Sequence, residues 1–167
     1  MKNITILLAS QGHNHELAQK ISAQLTSDNV TVNLVDLVGL NLPLYSTKAH
    51  EQDGVPDQIS TLVQQCQDAG GFVVVAPEYN GGVPPVLTNA IAWVSVSTKE
   101  WRGAFNAKPA GLATFSGSGG MQLLVTLRMQ LSYLGLTLVG LPLHTNHAKP
   151  LVQDDLESFS KQLVRLI

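Results

Sequence analysis

The residues best placed for chemistry lie in three loops, and the most informative of these is Pro77-Glu78-Tyr79-Asn80-Gly81. It follows the apolar run Phe72-Val73-Val74-Val75, which reads as a fully buried parallel strand. It leads through Gly82 to Pro84-Pro85, where proline's fixed φ suits the first turn of a helix. A strand that ends in a polar loop and feeds a helix places ligands at the carboxyl edge of an open α/β sheet. The backbone N–H groups of Tyr79, Asn80 and Gly81 are expected to face such a ligand, and the Tyr79 ring offers a flat apolar wall. Glu78 reads as a tie to neighbouring backbone or to a partner subunit rather than as a chemical group. The plain alternative for the loop is an ordinary strand-to-helix turn.

Ser10-Gln11-Gly12-His13-Asn14-His15 forms a second candidate, between a strand and a helix. A small polar loop at a helix N-terminus offers free N–H groups and a favourable dipole to a phosphate, and the Ser10 and Asn14 side chains add hydrogen-bonding capacity. The same residue types are common in turns and N-caps, so both readings stand. His13 and His15 either hold their protons beside a phosphate or are solvated loop residues. In the third loop, Thr114-Phe115-Ser116-Gly117-Ser118-Gly119-Gly120, the glycines let backbone approach a ligand closely.

Other groups carry less. His144-x-x-His147 has no third ligand nearby and precedes Pro150, which argues against a metal site. Ser116 is flanked by glycine but not in a G-x-S-x-G elbow, and no Asp and His pair follows it. Cys66 is the sole cysteine, which rules out an intramolecular disulfide framework; its inward helical position reads as a buried, inert thiol. Trp93 and Trp101 fit a core or a subunit interface equally well. No general acid or base stands out, and no catalytic side chain is assigned.

The elements that must position these loops alternate along the chain. Strands are expected at 3–9, 30–37, 71–76, about 109–115 and about 136–142, and helices at 14–26, 56–69, about 84–96, 119–134 and from Gln153 onward. Parallel strands need crossovers, so five strands and five helices imply a sheet covered on both faces. With right-handed crossovers the order 2-1-3-4-5 is expected, and its switch point lies between strands one and three, where the first two loops emerge. The 167 residues read as a single domain over 1–167, 44% apolar and only 13% charged, which suggests further burial in an oligomer. A net charge of -2 without a basic run leaves no footprint for nucleic acid or an anionic membrane. The apolar run Ile4–Ala9 is too short to span a bilayer and reads as the first strand, and the protein as cytoplasmic.

Pro77-Glu78-Tyr79-Asn80 followed by Leu87-x-Asn89-Ala90-Ile91-x-Trp93 resembles the NADPH-dependent FMN reductases, the flavodoxin-like quinone and azo reductase superfamily. Ser10, Asn14 and Leu17-Ala18 match the family's first loop, which is usually longer and carries an arginine that is absent here. Gly117, Gly119, Gly120 and Leu127-Arg128 resemble its third. Thr88 and Ala92 stand where the family often has lysine and aspartate. The resemblance implies a flavodoxin-like three-layer sandwich that binds FMN and takes hydride from NADPH or NADH. It passes that hydride to a quinone, azo or similar small-molecule acceptor. It also implies a homodimer or homotetramer in which a partner completes the pocket, across the helices after loops two and three. The cofactor-binding residues implied are Ser10, Gly12, His13 and Asn14; Pro77, Glu78, Tyr79, Asn80 and Gly81; and Ser116, Gly117 and Gly119. The short first loop supports an alternative, a flavodoxin-like protein with a weakened flavin site that serves as a binding or assembly module.

Overall fold

Side chains of alternating apolar strands point to opposite faces, and both faces here are covered. The computed structural model describes residues 2–167. Its strands are β1 (Asn3–Leu8), β2 (Thr31–Asp36), β3 (Gly71–Val75), β4 (Pro109–Phe115), β5 (Thr137–Leu138) and β6 (Leu143–Thr145). Its helices are α1 (His13–Ser27), α2 (Thr47–Asp53), α3 (Asp57–Asp68), α4 (Pro85–Val96), α5 (Met121–Tyr133) and α6 (Gln153–Val164). The sheet runs β2-β1-β3-β4-β5 with every pair parallel, as expected, and β6 adds to β4.

Ile4, Ile6 and Leu8 of β1 and Val73 and Val75 of β3 pack with α1 and α6 through Leu17, Ile21, Phe159 and Leu163. The intervening Leu7, Phe72 and Val74 pack on the other face with α3, α4 and α5 through Leu62, Leu87, Ile91 and Leu127. This period of two, on strands buried on both sides, is the pattern of a three-layer α/β sandwich. Cys66 lies fully buried in the second layer, and loss of solvent pushes its thiol up to about 12, so it is inert at neutral pH. Lys108 donates to the Cys66 and Gln67 carbonyls, capping the C-terminal end of α3.

The last strand differs from expectation. In place of one strand at 136–142 there are two short ones, paired with opposite ends of β4: Ala110 faces Leu138, while Ala113 faces Leu143. Four residues on this side separate positions that only two separate on β4, so Val139–Pro142 must bulge outward. Pro142, which has no N–H to give a ladder, sits at the re-entry. Arg128 of α5 donates to the Val139 and Gly140 carbonyls left open by the bulge. Helix α2 was likewise not expected; it is short, buries no residue, and starts where the Ser46 hydroxyl accepts the Ala49 N–H. Among the described residues no helix is long and apolar enough to cross a membrane.

Candidate functional site

All three loops leave the carboxyl edge of the sheet, and hydrogen bonds tie them into one surface. The first turns at Gly12, whose φ of 64° and ψ of -133° suit glycine alone, and an added Cβ there would meet open space. No side chain caps α1, and no acceptor faces the N–H groups from Ser10 to His15 among the described residues. Ser10 is only 8% exposed, yet its hydroxyl has no partner. A buried hydroxyl without a partner is costly, and beside a row of free N–H groups it fits a cradle for an oxyanion.

Asn14 has a structural duty that the sequence did not show. Its Oδ1 accepts the Phe115 N–H at 2.8 Å and its Nδ2 donates to the Phe115 carbonyl at 3.0 Å. The side chain joins α1 to the end of β4, and the backbone N–H is free for a ligand. Gln11 similarly donates to Asp36 at the end of β2. His15 makes no comparable contact, whereas the His13 ring lies 4.3 Å from that of Phe115 and edge-on to His147 at 5.2 Å.

The second loop is a tight turn. Tyr79 and Gly82 exchange both N–H···O bonds, with Asn80 and Gly81 at φ of 52° and 74° between them. The expectation that the Tyr79 N–H faces a ligand is therefore corrected: it donates to the Gly82 carbonyl because the turn closes there. The Asn80 and Gly81 N–H groups stay free, and the Tyr79 ring is 51% exposed beside them. Pro77 is buried beneath the loop.

Glu78 does tie down neighbouring backbone. Its carboxylate accepts the Ser118 hydroxyl at 2.6 Å and the Leu123 N–H at 3.1 Å, in the first turn of α5, and its N–H donates to the Ser116 hydroxyl at 2.8 Å. The Ser118 hydroxyl first, then the Leu123 and Gln122 N–H groups, hold its carboxyl below the usual value of 4.5. A depressed folded value contributes stability above the unfolded value and loses it as pH falls through the folded one. Glu78→Gln is expected to lower stability at neutral pH by about 1 kcal/mol, the size of a lost helix cap. The two proteins are expected to converge as pH falls through the folded Glu78 value; urea midpoints across pH measure this, and a constant offset would refute it.

In the third loop Ser116 is buried, with Thr114 Oγ1 at 2.9 Å and the Glu78 N–H as its hydroxyl's partners. Neither is a base, so nothing prepares Ser116 as a nucleophile. Gly117 is exposed with open space around it, while Gly119 and Gly120 carry φ of 89° and 71° and turn the chain into α5. His144 pairs with Lys149 Nζ at 2.9 Å while His147 packs on Phe115, so the two histidines do not converge. Among the described residues no group of three His, Cys, Asp or Glu side chains is arranged to hold a metal ion.

The Asn89 and Trp93 positions of the quoted motif act at a distance. Asn89 accepts the Tyr45 N–H and donates to the Pro43 carbonyl, which Trp93 Nε1 also reaches at 2.8 Å. They pin the loop after β2, and Trp93 is core, not interface.

Residues 3–148 match the family model for the NADPH-dependent FMN reductases. A 2-hydroxy-1,4-benzoquinone reductase from a Burkholderia species is 33% identical over 138 residues, 81% of this chain and 71% of that protein. The quinone reductase of Escherichia coli K12 is 31% identical over 94 residues, 55% of this chain but only 50% of that enzyme's length. Among solved structures, the flavoenzyme NAD(P)H:(acceptor) oxidoreductase FerB of Paracoccus denitrificans superposes with a TM-score of 0.77 at 18% identity, covering 99% and 98% of the two chains. An archaeal flavodoxin gives 0.68 at 14% identity, over 99% of this chain and 96% of that one.

Proposed function

The chain belongs to the NADPH-dependent FMN reductase family, and from that premise we propose that it is an FMN-dependent NAD(P)H oxidoreductase reducing a quinone or similar small-molecule acceptor. The observation that carries this reading is a single edge combining two half-sites. One is the unpartnered Ser10 hydroxyl with the free N–H row of the first loop. The other is the exposed Tyr79 ring beside the free Asn80 and Gly81 N–H groups. Bound FMN would supply the hydride chemistry. The protein's part is to hold the phosphate at the N-terminus of α1 and to offer Tyr79 as a wall. The Asn80 and Gly81 N–H groups donate to an electron-rich ring edge and stabilise negative charge there. No side chain is required as acid or base. The test is the visible spectrum of the purified protein, FMN titration, and NADPH and NADH oxidation with menadione and an azo dye. Yellow protein with quinone turnover is expected; a colourless protein with no FMN binding and no turnover overturns the reading.

The same reading includes a homodimer. Met121, Val125, Met129 and Tyr133 recur every fourth residue of α5 and are all exposed, Met129 at 71%. An apolar stripe along a whole helix directly after the third loop suits a second copy of the chain. Burying a charge unpaired costs several kcal/mol, so Met129→Glu is expected to weaken association about a hundredfold. Sedimentation at micromolar concentration measures it; a wild-type mass of one chain would refute the dimer.

A further inference from the structure

The first loop, Ser10–His15, contains no lysine or arginine, so a cation facing a phosphate there comes from an imidazole or from outside the loop. Three aromatic rings meet beside this cradle. His13, the first residue of α1, packs on Phe115; His147 arrives from the loop after β6 and stands edge-on to both, at 5.2 Å and 5.1 Å. That loop is held in shape by Asn146, whose Oδ1 accepts the Ala148 and Lys149 N–H groups while its own N–H donates to the Lys149 carbonyl. A cavity of about 250 Å³ opens where it meets α1. We propose that His13 and His147 together form the cationic wall of the phosphate site, a role that makes His147 a ligand-binding residue. This inference rests on the FMN reading above.

The surrounding charges fit. Glu16 Oε2 lies 3.5 Å from His13 Nδ1, which leaves Nε2 for a ligand, and Glu16 and Lys20 both line the same cavity. His15 is the neighbour on α1, Gln11 donates to Asp36, and the His144–Lys149 pair lines a separate cavity. Two imidazolium rings this close repel each other, and a dianion bound against both offsets the repulsion, so phosphate binding and proton uptake are coupled. The sign follows: FMN binds more tightly where the imidazoles are protonated and loses affinity as pH rises. Riboflavin has the same ring without the phosphate and is expected to be indifferent.

Flavin fluorescence quenching by the intact protein tests this between about pH 6 and about pH 8.5. The wild-type FMN dissociation constant is expected to rise about tenfold across it while that of riboflavin stays flat. His147→Gln is expected to weaken FMN about tenfold at the acid end, to flatten its profile and to leave riboflavin unchanged. His147→Lys, with a permanent charge, is expected to restore affinity with a shallower pH dependence, His13 being the one imidazole left in the wall. A flat wild-type FMN profile, unaltered FMN binding by His147→Gln, or equal weakening of FMN and riboflavin would each overturn the inference while FMN binding itself stands. Failure of both flavins to bind the wild type would remove the FMN reading and this inference with it.

Discussion

Gly111→Ala is expected to destabilise the domain by about 3 kcal/mol, at the upper end of what overpacking usually costs. Gly111 is buried near the middle of β4, between β3 on one side and β5 and β6 on the other. A Cβ there would fall inside contact distance of Phe159 Cζ and 2.7 Å from Cε2. The ring cannot swing away, because Phe159 is fully buried between α6 and the sheet among Ile4, Val73 and Ala113. Against a total of about 5–15 kcal/mol the loss is large, and it corresponds to a fall of about 6–12 °C in the melting temperature. Phe159→Leu alone is also expected to destabilise, by leaving a cavity. In the Gly111→Ala background, however, it is expected to recover stability, because the two changes share one space. Calorimetry of the four proteins measures the coupling; additive losses would refute the steric account.

The close approach of Gly111 to Phe159 was not legible in the sequence, whereas the frame around it was. Phe72–Val75 is apolar at every position and Ile4–Leu8 at every position but Thr5, which marks strands buried on both faces, and from them the sheet order follows by connection rules. The last strand misled because its residues are apolar on both sides of Gly140-Leu141-Pro142, and hydrophobicity does not report whether a backbone stays in register. Helix α2 buries nothing, so no periodic signal marked it.

At the site the loops were legible and the side-chain duties were not. Asn14, Glu78 and Ser116 are small polar residues whose types suit a ligand or a backbone equally, and the partners that decide lie far along the chain. His147 had a visible neighbour at His144 and none at His13, since the contact forms only when β6 lies beside β4. Turn chemistry offered one missed signal: Asn80-Gly81 is the dipeptide that favours a turn with two positive φ values, which consumes the N–H of the residue before it.

Asn14→Ala is expected to cost about 2 kcal/mol and to weaken both flavins about tenfold or more, which separates it from His147→Gln. The wild-type side chain satisfies the Phe115 N–H and carbonyl at once, and alanine leaves both without a protein partner at the edge of β4. Because α1 and β4 are joined there, the loss also releases the first loop from the third, which Ser116 in turn links to the second through the Glu78 N–H. A bridge of this kind sets the distance between two half-sites, so its removal weakens binding of the ring as well as of the phosphate. Asn14→Asp sharpens the test. Its carboxylate still accepts the Phe115 N–H, but it cannot donate to the carbonyl and it places a negative charge beside the oxyanion cradle. It is expected to retain more stability than alanine while binding FMN worse relative to riboflavin, most clearly at neutral pH where the carboxylate is ionised. Melting temperatures and titrations with the two flavins measure this. An Asn14→Ala protein with unchanged melting temperature and unchanged riboflavin binding would show that the bridge holds neither the fold nor the site together.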